Sequence, residues 1–133
     1  MFACISLGVV NIALIPDVCK TPTPAGPVPL PYPNLAQSAL HIPSQIKVMF
    51  GPGLAENIMT AGTISSGDEP GTAGGIISNV FIGPDRYLTG SLKVLIGGAF
   101  ATRMTSVTGH NGMPCNTTGM SLVPGQFRVL ICG

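Results

Sequence analysis

The sequence predicts an all-β domain of short hairpins, and three observations carry that prediction. Glycine and proline supply 18 and 13 of the 133 residues, a density that breaks helices and favours turns and short extended pieces. No stretch offers a capped helical period of a dozen residues. A strand-and-glycine unit recurs: Lys47-Val48-Met49-Phe50-Gly51 matches Lys93-Val94-Leu95-Ile96-Gly97 at an offset of 46 residues. The match continues, with Ala55 falling on Ala101, Ile58 on Met104 and Thr60 on Ser106.

Along the chain, residues 5–15 alternate weakly and are rich in Val, Ile and Leu, which reads as one or two strands. Seven prolines follow within the 18 residues 16–33. Each fixes its own φ and pushes its predecessor towards extended geometry. The missing N–H donors exclude a central strand, so this segment is expected as a rigid loop packed on the domain surface. A polyproline ligand for an SH3- or WW-type partner is the competing reading. That ligand lacks a flanking Arg, and Lys20 is the only nearby cation. Residues 34–40 are the one candidate short helix, with Asn34 as its N-cap.

The repeat unit reads as strand, glycine turn, strand. Shorter echoes of it stand at Asn79-Val80-Phe81-Ile82-Gly83 and at Arg128-Val129-Leu130-Ile131. Gly-rich loops lie between the hairpins, one over residues 62–75 with Asp68 and Glu69, the other over residues 108–119 with His110 and Cys115. The Pro-rich loop around Cys19 holds the analogous place in the first unit. Three similar units, each a hairpin followed by an irregular loop, predict pseudo-threefold symmetry within one domain spanning residues 1–133.

Composition bounds the function. Charged residues make up 8%, the formal net charge is +1, and hydrophobic residues make up 45%. Disorder needs the opposite balance, and nucleic-acid binding needs a basic surface that this chain lacks. Mean hydropathy is +0.49, but the longest charge-free apolar stretch, residues 1–16, ends at a proline and is short of the roughly 20 residues a spanning helix needs. No Lys or Arg precedes Lys20, so no Sec-type signal peptide is expected. Without one, the cysteines at positions 4, 19, 115 and 132 read as free thiols or metal ligands rather than disulfides. The low charge fits a domain whose base is covered by a partner.

An enzyme is not expected. Cys19 or Cys115 with His110 could form a nucleophile–base pair, but no third orienting residue is apparent, acidic residues are scarce, and no phosphate-binding glycine loop occurs. A small metal-binding or cysteine-reactive β-domain with an enzymatic role is the alternative. Asp85, Arg86, Arg103 and Arg128 read as solvated surface, His41 as a surface or loop histidine, and Cys4 and Cys132 as core. The Asn116-Thr117-Thr118 sequon carries little meaning without a secretory signal.

Several stretches resemble one family. Pro16-Asp17-Val18-Cys19-Lys20-Thr21-Pro22-Thr23-Pro24 with Pro31-Tyr32-Pro33-Asn34 resembles the opening of the PAAR-like spike-tip family. Residues 90–98, Ala101-Thr102-Arg103-Met104, Asn111-Gly112 and the closing residues 124–130 resemble its later hairpins. The resemblance implies a small β-cone that caps the trimeric VgrG spike of a bacterial type VI secretion system or a related contractile injection machine, one tip per trimer. It implies an effector or adaptor as a further partner, no nucleic acid, and transient contact with a target membrane. Such a protein waits in the bacterial cytoplasm and leaves with the spike. With Gly133 directly after the last strand, a stand-alone tip is expected, its effector recruited in trans or fused elsewhere in the machine.

True PAAR tips hold a zinc near the apex, ligated by His and Cys from different loops. The ligands that the resemblance implies here are Cys19, His110 and Cys115. His41, Cys4 and Cys132 are reserves, and the fourth ligand is open. No C-x-x-C pair strengthens the set, and Cys19 as a small buried residue is the plain alternative.

Overall fold

The computed structural model describes residues 2–112 and 114–131, so Cys132 lies outside the described residues. The strands are β1 (Val10–Ala13), β2 (Asp17–Thr21), β3 (Val28–Tyr32), β4 (Leu35–Gln37), β5 (His41–Ile42), β6 (Met49–Phe50), β7 (Gly53–Leu54), β8 (Ala61–Gly62), β9 (Asp85–Tyr87), β10 (Leu95–Ile96), β11 (Ala99–Phe100), β12 (Val107–His110) and β13 (Thr117–Val123). Among the described residues the helical content is a single 3₁₀ turn, Ser38–Leu40.

Seven strands form one antiparallel sheet in the order β4-β1-β13-β12-β9-β8-β5. Its two edge strands, β4 and β5, are neighbours in the chain across the Ser38–Leu40 turn, so the sheet curls almost closed. The order is cyclic. Each outgoing strand (β1, β8, β12) pairs with the return strand of its own unit and with the return strand of the unit before it. Three loops, residues 14–34, 63–84 and 111–116, link outgoing to return strands at one end. At the other end sit the repeat hairpins β6–β7 and β10–β11.

The third repeat is closed by the two ends of the chain. Phe2 bridges Leu130. The Ala3 N–H donates to the Val129 carbonyl at 3.0 Å, as Ala55 does to Val48 at 3.0 Å and Ala101 to Val94 at 2.9 Å. On the axis, three backbone hydrogen bonds form a ring: Cys4 N–H to Thr102, Glu56 N–H to Cys4, and Thr102 N–H to Glu56, at 3.1, 3.2 and 3.2 Å. A closed cycle of this kind requires three equivalent segments around one axis. The apolar core repeats with it: Ala3, Ala55 and Ala101, with Ile96 and Ile131, pack against Val48, Val94, Val129 and Phe50.

Three expectations change. Residues 34–40 are helical only over the last three: Leu35–Gln37 is strand β4, Ser38–Leu40 is the 3₁₀ turn, and its N-cap is Gln37 rather than buried Asn34. The Pro-rich segment is not wholly irregular, because β2 and β3 pair as a two-stranded edge ribbon. Pro29 and Pro31 have no N–H, so the donors of β3 to β2 come from the residues between them, and the proline-bearing side is left as the outer edge. The echo at 79–83 is no strand: Asn79 and Ile82 take φ of 60° and 51°, in the left-handed region.

Candidate functional site

The hairpin end carries a threefold surface. Ile46, Leu92 and Phe127 occupy one repeat position and are 77, 78 and 73% exposed. Met49, Leu95 and Leu130 occupy another and are 60, 62 and 61% exposed. Lys47, Lys93 and Arg128 stand exposed between them. Six large apolar side chains and three cations thus encircle the axis at matching positions.

Local chemistry fixes this presentation. Gln45 Oε1 accepts the N–H groups of Lys47 and Val48 at 2.9 and 2.8 Å, and its Nε2 donates to Val48 and Ala55 carbonyls at 3.1 and 2.7 Å. Gln126 repeats the pattern on Arg128, Val129 and Ala3. In the middle unit Ser91 Oγ accepts from Lys93 N–H at 3.3 Å, and the Ser91 N–H itself donates to Ala101 at 2.7 Å.

At the opposite end the three loops meet on a buried polar cluster. Asp17 on β2 accepts hydrogen bonds from the side-chain amides of Asn34 (2.6 Å), Asn111 (3.1 Å) and Asn116. Cys19 Sγ lies 3.6 Å from Asp17 and 3.5 Å from Asp68. Asp68 accepts the Ile82 N–H at 3.2 Å. Burial first, then the two carboxylates, push the Cys19 thiol up to about 12. Burial also pushes Asp68 up; the Ile82 N–H opposes this, and the Asp17 charge adds to it.

The three residues that sequence reasoning grouped for a metal are not brought together. Among the described residues, the group of His, Cys, Asp or Glu with mutually close ligand atoms is Asp17, Cys19 and Asp68. His110 Nε2 instead shares a hydrogen bond with Thr108 Oγ1 at 2.9 Å, and its Nδ1 has no partner among the described residues. Burial lowers its pKa, against the pull of Asp85 and Asp17. Cys115 packs over Gly109, where an added Cβ would stand 2.2 Å from its sulfur. Successive residues of a strand point to opposite faces, so Cys115 and His110 lie on opposite faces of β12. The shared ion that the resemblance implies for His110 and Cys115 is undone by that alternation. Glu69 is exposed and accepts the Gly67 N–H, Cys4 is buried beside Ser121 Oγ at 3.4 Å, and Asn116, the sequon residue, is buried in the cluster.

A second buried network was not legible at all. His41 is buried, not a surface loop residue. Its Nδ1 lies 2.7 Å from Glu56 Oε1 and its Nε2 3.3 Å from Asp85 Oδ2. Tyr87 donates to Glu56 at 2.6 Å, and Asn11 Nδ2 to Asp85 at 3.4 Å. Asp85, read as solvated from sequence, is buried too. Burial opposes protonation of His41, but its hydrogen bonds to Asp85 and Glu56 and their charges outweigh it and raise the pKa to about 9. Both networks hold loops and strands in place, and the exposed groups that repeat around the axis are those of the threefold base.

Three repeats below a curled sheet, two of them hairpins and the third closed by the chain ends, with three loops merged at the far end, fit the small β-cone expected of a PAAR-like domain. The sequence matches the toxin PAAR-like domain model over residues 10–119, and the chain belongs to that family. It is 33% identical over 117 residues to the DNase toxin Tse7 of Pseudomonas aeruginosa, with 80% of this chain and 30% of the toxin covered. The chain therefore spans less than a third of the length of that relative. No solved structure matches it.

Proposed function

We propose that this domain caps a trimeric VgrG-type spike, one tip per trimer, and that an effector travels with it, fused or bound. The observation that carries the reading is the matching exposure of Ile46, Leu92 and Phe127, and of Met49, Leu95 and Leu130, around one axis. A single chain docking on a symmetric trimer needs three near-equivalent contact sets, and apolar patches of this kind mark interaction surfaces. The fitting partner presents an apolar centre with carboxylates placed to meet Lys47, Lys93 and Arg128. The similarity to Tse7 supports a link to toxin delivery.

The domain's own part is mechanical rather than catalytic. A cysteine nucleophile needs a lowered pKa and access. Cys19 and Cys4 are buried and pushed up, by that burial above all, to about 12 and about 11. The nuclease named for the relative is a property of that longer protein.

The test is the mass of this chain mixed with its VgrG protein, by size exclusion with light scattering. One tip per spike trimer is expected. Three tips per trimer, or no complex at any salt concentration, would overturn the proposal.

A further inference from the structure

The loop end of this domain departs from the zinc-stapled apex of true PAAR tips in the chemistry of its donors. Asp17 is the centre of the cluster, and the amides of Asn34, Asn111 and Asn116 all turn their N–H groups towards it. The orientation of two of these amides is dictated by the backbone. Asn111 Oδ1 accepts the Gly83 N–H at 2.9 Å. Asn116 Oδ1 accepts the Ile77 N–H at 2.9 Å. A backbone N–H can only donate, so neither amide can flip to present its oxygen to the cluster. Turning Asn34 over would set its oxygen against the Asp17 carboxylate. Asn111 takes φ of 59°, a backbone that asparagine tolerates better than most residues.

Amide hydrogens therefore occupy the space that a cation bound by Asp17, Cys19 and Asp68 would fill. The Asn111 and Asn116 nitrogens stand 3.5 and 4.0 Å from Cys19 Sγ, and the partial positive charge of an N–H repels a metal ion. A structural zinc wants four N or S ligands. This cluster offers one sulfur, and its two carboxylates are already engaged by donors. His110 and Cys115, the remaining N and S candidates in the third loop, lie on opposite faces of β12.

We infer that the three apical loops are stapled by a carboxylate–carboxamide hub centred on Asp17, in place of a metal ion. One residue from the first loop collects donors from the third (Asn111, Asn116) and from the return of its own loop (Asn34). Asp68 of the second loop joins through Cys19. The hub makes the cross-loop connections that a metal makes elsewhere, and it works without metal supply.

The test uses the full chain, untagged and expressed with zinc in the medium. Metal content well below one ion per chain is expected, with a melting temperature unchanged by a strong chelator. Near-stoichiometric zinc, with a chelator-induced fall in melting temperature, would overturn the inference. Two variants sharpen it. Cys19→Ser keeps a small donor beside Asp17 and should melt close to the wild type; a collapse matching chelator treatment would again favour a metal. Asn116→Asp sets a second carboxylate against Asp17 and should lower the melting temperature by about 5 °C or more. Added zinc or calcium should then recover part of that loss in the variant and leave the wild type unmoved. Equal stabilisation of the wild type by those ions would count against the hub.

Discussion

Gly62 lies directly across β8 from His41 on one side and from Asp85 on the other. Strands lie about 4.8 Å apart, so side chains two strands away meet only over a position that is empty. Glycine makes that gap, and an added Cβ would stand 1.7 Å from Asp85 Oδ1. Gly62→Ala should therefore destabilise the fold by about 1–3 kcal/mol, measured by denaturant titration. A stability within error of the wild type would mean that Asp85 can leave His41 freely. The same contact sets a pH dependence. The His41 pKa is raised to about 9, so its stabilisation is complete below the unfolded value near 6.5 and is lost as pH rises to about 9. That contribution is on the order of 3 kcal/mol. His110 acts in the other direction: burial lowers its pKa, so stability is lost as pH falls below about 6.5. Thermal melts should show a maximum near neutral pH, and His41→Gln should flatten the alkaline limb while leaving the acid limb in place.

At the scale of elements, the three base hairpins are not built alike. The two intact repeats are each closed within a few residues, by Gln45 and by Ser91. The third joins chain ends, and Gln126 is its latch, reaching the Ala3 carbonyl at 3.0 Å and the Val129 carbonyl at 2.9 Å. Gln126→Ala leaves four backbone groups to find new partners and should cost about 1–3 kcal/mol. Faster amide hydrogen exchange at Ala3 than at Ala55 should report the opening; unchanged exchange at Ala3 would show that the apolar contacts alone close the ring. Residues 47–51 and 93–97 announced their hairpins because a local turn and its strands are adjacent in sequence. The fragment at 128–131 was legible as an echo of the repeat, and Leu130 forms a single bridge there, but its partner at Phe2 was not, since nothing local links the two ends. The Asn79–Gly83 fragment misled for the converse reason: apolar residues in a row do not make a strand where the backbone turns left-handed. The hub was half legible. Cys19 and Asp68 stood out as chemistry-bearing residues in equivalent loops, whereas Asn34 read as a helix N-cap, Asn111 as part of a hairpin motif and Asn116 as a sequon. The signal for them was their position, each at the start or end of a loop that must meet the other two. In the His41–Glu56–Asp85 network, strand register across Gly62 sets His41 against Asp85 and the axial ring places Glu56, neither of which a single segment encodes.

The whole molecule turns its composition outward. More polar than apolar residues are fully buried, while large hydrophobics such as Ile46, Leu92 and Phe127 stand in solvent. Such an inversion costs solubility and is retained only where the apolar surface has a partner. Symmetry sharpens what that partner must feel. If the base meets a trimer, Ile46→Asp, Leu92→Asp and Phe127→Asp each damage one of three equivalent contacts and should weaken spike binding by similar amounts, about tenfold or more apiece. The triple variant should abolish the complex, because no undamaged third remains to hold it. Since Ile46 and Leu92 are largely exposed, their variants should barely move the melting temperature of the free domain, whereas Phe127→Asp also loses its edge-on contact with Phe2 at 5.3 Å and should lower it slightly. Reversing Lys47, Lys93 and Arg128 to glutamate should act on the association rate and its salt dependence more than on dissociation. Unequal losses, with one of the three positions carrying nearly all the affinity, would mean that the partner meets the domain from one side, and the threefold base would then be a relic of how the fold repeats rather than the means by which it docks.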